Sequence, residues 1–196
     1  VVSFRSDSSR LDFERLVGAL NSICSTDIRV QAVTAVDDDF NARFSATERM
    51  YHYFILNAPQ ADPLLADLEW HIPEPLDLDA MNHAASLFLG EHDFTSFCRR
   101  AKGQPESLLV RRIHSAKWVA HNRERIYFEI SANAFCHQMV RSLTGFCVAV
   151  GSGKCDAETF EAVLGARDRS AAPPIAPPHG LVLKHVTYGK TDSRDR

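Results

Sequence analysis

The chain has 196 residues, 45% of them hydrophobic and 24% charged, as expected for one folded domain or two small ones around a sizeable core. It holds no apolar run of about eighteen residues, so no transmembrane helix is expected, and Val1-Val2-Ser3-Phe4-Arg5 lacks the basic-then-apolar order of a signal peptide. The net charge of −3, from 22 Lys+Arg and 25 Asp+Glu, argues mildly against a nucleic-acid partner for the chain as a whole.

In chain order, Val1 to Phe4 reads as a strand. Ser8 or Ser9 is placed to cap a helix with Phe13, Leu16, Val17, Leu20 and Cys24 on one face. Ile28 to Val36 alternates like a strand. Asp37-Asp38-Asp39 then breaks the pattern and is taken as the boundary between residues 1–38 and 39–196. Adjacent acids point apart, so a solvated turn is expected there rather than a metal site. Tyr51 to Leu56 is a strand with Tyr51, Tyr53 and Ile55 on one face. A loop rich in Pro, Asp and Ala runs to Pro75, and Asp77 opens a helix with Leu78, Met81, Ala85 and Phe88 inward, ended by Gly90.

Val110 to Val119 and Ile126 to Ala132 are predicted to form a hairpin across His121-Asn122-Arg123-Glu124. Asn133 is a candidate N-cap for the helix that follows. From Cys136 the apolar residues Cys136, Met139, Val140, Leu143, Phe146, Cys147 and Val150 fall at helical spacing. The other face gathers His137, Gln138, Arg141 and Thr144. A solvated polar face is the common outcome for such a helix, but so long an apolar stripe should hold Arg141 rigid, ready for a carboxylate or phosphate. A shorter helix near Ala157 to Leu164 follows. The four prolines between Ala171 and Pro178 exclude helix and central strand and predict a packed connector, in preference to a PxxP ligand. Leu181 to Tyr188 is the last strand.

From Tyr51 on, the order is strand, helix, strand, strand, helix, strand. This is the α+β, split βαβ or ferredoxin-like arrangement, an antiparallel sheet with helices on one face. The strand–helix–strand before Asp37 reads as the second half of a preceding ferredoxin-like unit, which predicts further chain ahead of Val1.

Charge is sorted along the chain. Ala61 to Asp93 carries eight acids and no Lys or Arg, whereas Phe97 to Arg125 carries eight bases against two acids. The basic segment suits phosphates, or it neutralises the acidic one within the fold; the residues leave both readings open. The five cysteines, Cys24, Cys98, Cys136, Cys147 and Cys155, include no CxxC, and an odd count argues against a disulfide framework or a zinc site. Reduced thiols in a cytoplasmic protein are expected.

Four blocks carry a resemblance. They are Phe40-Asn41-Ala42-Arg43-Phe44-Ser45-Ala46-Thr47 with Arg49-Met50-Tyr51-His52-Tyr53; Gly90-Glu91-His92-Asp93-Phe94-Thr95-Ser96-Phe97; Asn133-Ala134-Phe135-Cys136-His137-Gln138-Met139-Val140-Arg141; and Ala166 to Ala172 continuing through Ala176-Pro177-Pro178-His179-Gly180-Leu181. In this order and spacing they resemble the bacterial tRNA pseudouridine synthase A family over nearly the whole chain. The resemblance implies the pseudouridine synthase fold of two ferredoxin-like halves with a basic cleft. It also implies a homodimer that grips tRNA and isomerises uridines in the anticodon stem-loop, with no metal or organic cofactor. The family's nucleophilic Asp sits in a Gly-Arg-Thr-Asp-Ala-Gly-Val-His motif that this sequence lacks, so the 196 residues by themselves are expected to be inactive.

The resemblance carries two catalytic residues over. Tyr51 matches the tyrosine that lies against the target base and helps move the C5 proton; a core-facing strand tyrosine is the alternative, which Tyr53 fits better. Arg141 matches the cation that keeps the Asp ionised and aimed. Phe135 and Met139 are expected to be packing residues. Candidate RNA contacts are His137, Arg99, Arg100, Lys102, Arg111 and Arg112. A non-catalytic RNA-binding or dimerisation module on the same scaffold is the alternative function.

Overall fold

A computed structural model describes residues 1–7, 11–99 and 109–189. It divides into two compact units, one of Val1–Ala46 with the chain end from Tyr188, the other of Thr47–Thr187.

In the first unit a helix forms where the apolar spacing predicts one, α1 (Phe13–Ile23). Its cap is Asp12, whose carboxylate accepts from Arg15 N at 3.0 Å; Ser8 and Ser9, the predicted caps, lie outside the described residues. The predicted strands at Val1–Phe4 and Ile28–Val36 do not form strands. Strand spacing alone makes no strand; a ladder needs a partner for its N–H and C=O groups. The second stretch is tied to α1 instead: Asn21 Nδ2 donates to Val30 O (2.9 Å) and Val30 N donates to Asn21 Oδ1 (2.8 Å). Tyr188 lies against Phe40, with ring centroids 5.0 Å apart, and donates its hydroxyl to Ala42 O at 2.8 Å.

The second unit is built on one sheet: β1 (Ala46–Asn57), β2 (Trp70–Ile72), β3 (Gly90–Asp93), β4 (Val110–Ala120), β5 (Arg125–Ala132) and β6 (Leu181–Tyr188). The order is β2-β1-β5-β4-β3, and β6 also pairs β1. The four long strands therefore lie as β6-β1-β5-β4, the ferredoxin-like order, with helices α2 (Leu78–Ser86) and α3 (Met139–Gly151) in the two crossovers. β2 and β3 are absent from the sequence reading. Three or four residues are too few for a period to show, and their pairing comes from neighbours: β2 runs parallel to Ile55–Asn57 of β1, and β3 antiparallel to β4.

Strand alternation, with a register shift between Ile113 and Ser115 of β4, sends Tyr53 and Ile55 of β1, Ile126, Phe128 and Ile130 of β5, and Ile113 and Trp118 of β4 to one face. There they join Met81 and Ala85 of α2 and Met139, Leu143 and Phe146 of α3 in one buried cluster. Phe160, from α4 (Thr159–Ala166), closes it 4.9 Å from Phe88 and 5.5 Å from Phe97. Asp77 caps α2 as predicted, accepting from Ala80 N at 2.9 Å. α2 ends at Ser86, before Gly90, which opens β3 at φ 95°.

α3 differs from its sequence reading at both its start and its polar face. It begins at Met139, after Gln138 in the left-handed region (φ 68°), and no side chain caps it. Asn133 instead joins strand ends: its Oδ1 accepts from Arg112 N (3.0 Å) and its own N–H donates to Arg112 O (3.1 Å). Thr144, assigned by spacing to the polar face, is buried and donates to Val140 O at 2.9 Å. The proline connector is packed as predicted, with Ala172 and Ala176 buried. The connector lies so close that a Cβ on Gly145 would collide with the Pro174 carbonyl oxygen.

Gly145→Ala tests this packing. In an open helix the change stabilises by about 1 kcal/mol. Here the added methyl meets backbone, and a loss of about 1–3 kcal/mol is expected in denaturant unfolding.

Candidate active site

The register of β1 against β5 places Arg49 opposite Ala132, Tyr51 opposite Ile130 and Tyr53 opposite Phe128. All three β1 residues therefore point to the helix-covered face. The two tyrosines have different surroundings. Tyr53 is fully buried and donates its hydroxyl to Pro177 O at 2.7 Å, anchoring the proline connector. Tyr51 is partly buried, with the Phe135 ring edge-on at 5.3 Å. Among the described residues its hydroxyl has no hydrogen-bond partner. Burial pushes the Tyr51 hydroxyl above its ordinary pKa, and the Arg49 guanidinium opposes that shift. The same guanidinium donates to Asn133 O at 2.6 Å, so Arg49 bridges the Tyr51 strand and the segment carrying Phe135. Sequence reading left Arg49 inside a motif without a role; its position two residues before Tyr51 on one strand was the available signal.

Arg141 lies in the first turn of α3. Its Nε donates to Ala176 O (2.7 Å), while Ala176 N donates to Arg141 O (3.1 Å). The helix and the connector thus clasp each other at this residue. The guanidinium is half-buried, and among the described residues it meets no carboxylate. Its charge is felt by Tyr53, whose hydroxyl burial pushes far up and Arg141 draws partly back. A half-buried cation held through one nitrogen, with its fork unpaired, is suited to an incoming carboxylate.

The basic residues have different surroundings from one another. Arg99 and His137 are both exposed and adjacent, because Arg99 N donates to His137 O at 2.9 Å. Arg112 is exposed and pairs with Glu91 at 3.2 Å across β3 and β4. Arg111 is half-buried on β4 and donates to Val110 O at 2.6 Å. Arg100 and Lys102 lie outside the described residues. Arg125 shows the neutralising alternative at work: it meets Asp62 at 2.6 Å and Glu69 at 3.0 Å, both from the acidic segment.

Asp93, in the second family-like block, organises a turn. Its Oδ1 accepts from Thr95 Oγ1 (2.6 Å), Thr95 N (3.2 Å) and Leu109 N (3.2 Å), and Arg167 Nε lies 3.2 Å from Oδ2. The cysteine expectation needs correcting. Cys98 and Cys136 are joined in a disulfide with Cα atoms 5.7 Å apart, while Cys24, Cys147 and Cys155 are free. Sequence spacing could not show it, since the partners are 38 residues apart and on different loops.

A family model for tRNA pseudouridine synthase matches residues 84–189. Curated relatives named tRNA pseudouridine synthase A align over 188 residues, 96% of this chain. One from Moorella thermoacetica is 39% identical, with 75% of its own length covered. One from Burkholderia thailandensis is 40% identical, with 68% covered. One from Burkholderia mallei is 39% identical, also with 68% covered.

The environment of Asp93 sets a pH dependence. Burial alone would raise its carboxyl; the Thr95 and Leu109 hydrogen bonds and the Arg167 charge outweigh it and leave the carboxyl below its ordinary value. A carboxyl lowered on folding stabilises above its unfolded pKa and loses that contribution as pH falls through the folded value. Asp93→Asn should therefore unfold at lower denaturant than wild type at neutral pH. The gap should narrow below about pH 4. A gap independent of pH would contradict the assignment.

Proposed function

This chain belongs to the tRNA pseudouridine synthase family, whose reaction is an isomerisation, and on that premise we propose that Tyr51, Phe135 and Arg141 frame the site that receives the target uridine. The observation that carries the reading is the contrast between two tyrosines on one strand face. Tyr53 has its hydroxyl bonded and its ring buried, whereas Tyr51, beside a half-exposed ring, has no hydroxyl partner among the described residues.

In this reading an anticodon-arm uridine leaves its stack, at a cost of about a few kcal/mol that phosphate contacts and stacking on Tyr51 offset. An aspartate attacks it at the base or at ribose C1′, the glycosidic bond to nitrogen breaks, the uracil turns, the bond re-forms to C5, and the aspartate is released as its carboxylate. The Tyr51 hydroxyl helps take the C5 proton. Arg141 presents its guanidinium fork to the aspartate and keeps it ionised. The Gly-Arg-Thr-Asp-Ala-Gly-Val-His motif does not occur in the 196 residues, so the reaction needs an aspartate from residues additional to them. Arg99 and His137, with Arg111, Arg112, Arg100 and Lys102, serve as RNA contacts. The working protein is a cytoplasmic homodimer. The absent motif favours a second reading for these residues taken alone, a non-catalytic RNA-binding or dimerisation module.

With the aspartate supplied, Tyr51→Phe should lower turnover by about 100-fold or more while tRNA affinity changes little. Unchanged turnover would remove Tyr51 from the proton transfer. Arg141→Lys should also lose rate, because a point charge does not replace a bidentate fork; single-turnover kinetics on a tRNA transcript reads it directly. Affinity for tRNA should fall steeply with salt as phosphate contacts release counterions, and a salt-independent affinity would contradict the proposed RNA contacts.

A further inference from the structure

The Cys98–Cys136 bond joins two loops that the proposed site depends on. Cys98 follows a 3-10 turn at Thr95–Phe97 and is almost fully buried, at 2% exposure. Cys136 is only partly buried, between Phe135, whose ring meets Tyr51, and His137, whose carbonyl accepts from Arg99 N. The carbonyl of Cys136 itself accepts from Met139 N at 3.1 Å, at the uncapped start of α3, two residues before Arg141. The bond thus ties Phe135, His137, Arg99 and the first turn of α3 to one point. The Cα separation of 5.7 Å is within the ordinary disulfide range, so the two loops need not move to form it.

We propose that Cys98 and Cys136 are a thiol–disulfide exchange site, acted on by low-molecular-weight thiols and disulfides, whose oxidised form fixes the Phe135–His137 segment for tRNA binding. The tRNA half of this statement rests on the function proposed above. Exchange enters at the accessible sulfur. An external thiolate attacks Cys136 Sγ, the bond to Cys98 breaks, and its electron pair leaves on Cys98 Sγ, which takes a proton. A second thiolate displaces Cys136 from the mixed disulfide, and that sulfur is protonated in turn. Two external thiols become one disulfide, and the protein gains two electrons and two protons. The reverse uses a small-molecule disulfide as oxidant. Cys147 does not compete: it is buried, and burial pushes its thiol up to about 12, leaving it protonated near neutral pH.

The protein is equilibrated across a series of glutathione to glutathione-disulfide ratios, quenched by alkylation and mapped by peptide mass spectrometry. Cys98 and Cys136 should appear as thiols together. Cys98→Ser should trap glutathione on Cys136, whereas Cys136→Ser should leave Cys98 unmodified. Independent appearance of the two thiols in wild type, or glutathione on Cys98 in Cys136→Ser, would overturn the exchange site. Binding of a tRNA transcript is then measured in both states. The oxidised protein should bind at least roughly threefold more tightly, since a restrained segment loses less freedom on binding. The double Cys→Ser variant should show one affinity regardless of redox state. Equal wild-type affinities in both states overturn the coupling to RNA. Absence of tRNA binding in either state, with the thiol pattern intact, overturns the proposed function and leaves the exchange site standing.

Discussion

The pairing of β1 with β5, Arg49 to Leu56 against Ala132 to Arg125, is the constraint on which the proposed site depends. A strand has a side-chain period of two, so a slip of one residue would turn Arg49, Tyr51 and Tyr53 to the opposite face. The register is held where it matters most by burial. Tyr53, Ile55, Phe128 and Ile130 are all fully buried, and none could turn outward without exposing a large apolar side chain. Tyr51 inherits its position from these neighbours, and among the described residues its hydroxyl has no partner.

The second support is α3. It is buried on nearly every side, including at Ser142 and Thr144, so its first turn is held by the whole unit rather than by a cap. Arg141 emerges where the helix meets the proline connector, and the reciprocal bonds with Ala176 set its direction. Gly145 and the Pro174 carbonyl fix how close the connector comes, and Tyr53 bonds its far side at Pro177. Packing and the proposed chemistry therefore share the same few residues. Connector, helix and strand each hold one group in place, and the fork of Arg141, which meets no carboxylate among the described residues, is left at their meeting point.

Much of this was legible where long elements carry their own period. The Asp77 cap, the β4–β5 hairpin, α4 and the connector stand close to where their residues put them. The family could be recognised from four blocks; the roles of Tyr51 and Arg141 are what that resemblance implies. What was not legible depends on partners distant in sequence. β2 and β3 exist only as additions to neighbouring strands, and the strand-like stretches near Val1 and Ile28 lack ladder partners. Asn133 was mistaken for a cap because Asn before a helical run often is one; here it bonds the backbone of Arg112. Neither the Cys98–Cys136 bond nor the contact of Arg49 with Asn133 leaves a local signature, since each joins segments that only the fold brings together.

We propose that these residues form the receiving half of a pseudouridine-forming site whose aspartate is additional to them. The most direct measurement is pseudouridine formation on an unmodified tRNA transcript, first with the 196-residue chain and then with a segment bearing the Gly-Arg-Thr-Asp-Ala-Gly-Val-His motif added to it. The account predicts no product in the first case and product in the second, lost again when the motif's Asp is changed to Asn. Pseudouridine made by the 196 residues alone would contradict it, because the nucleophile would then lie among residues assigned here to other work.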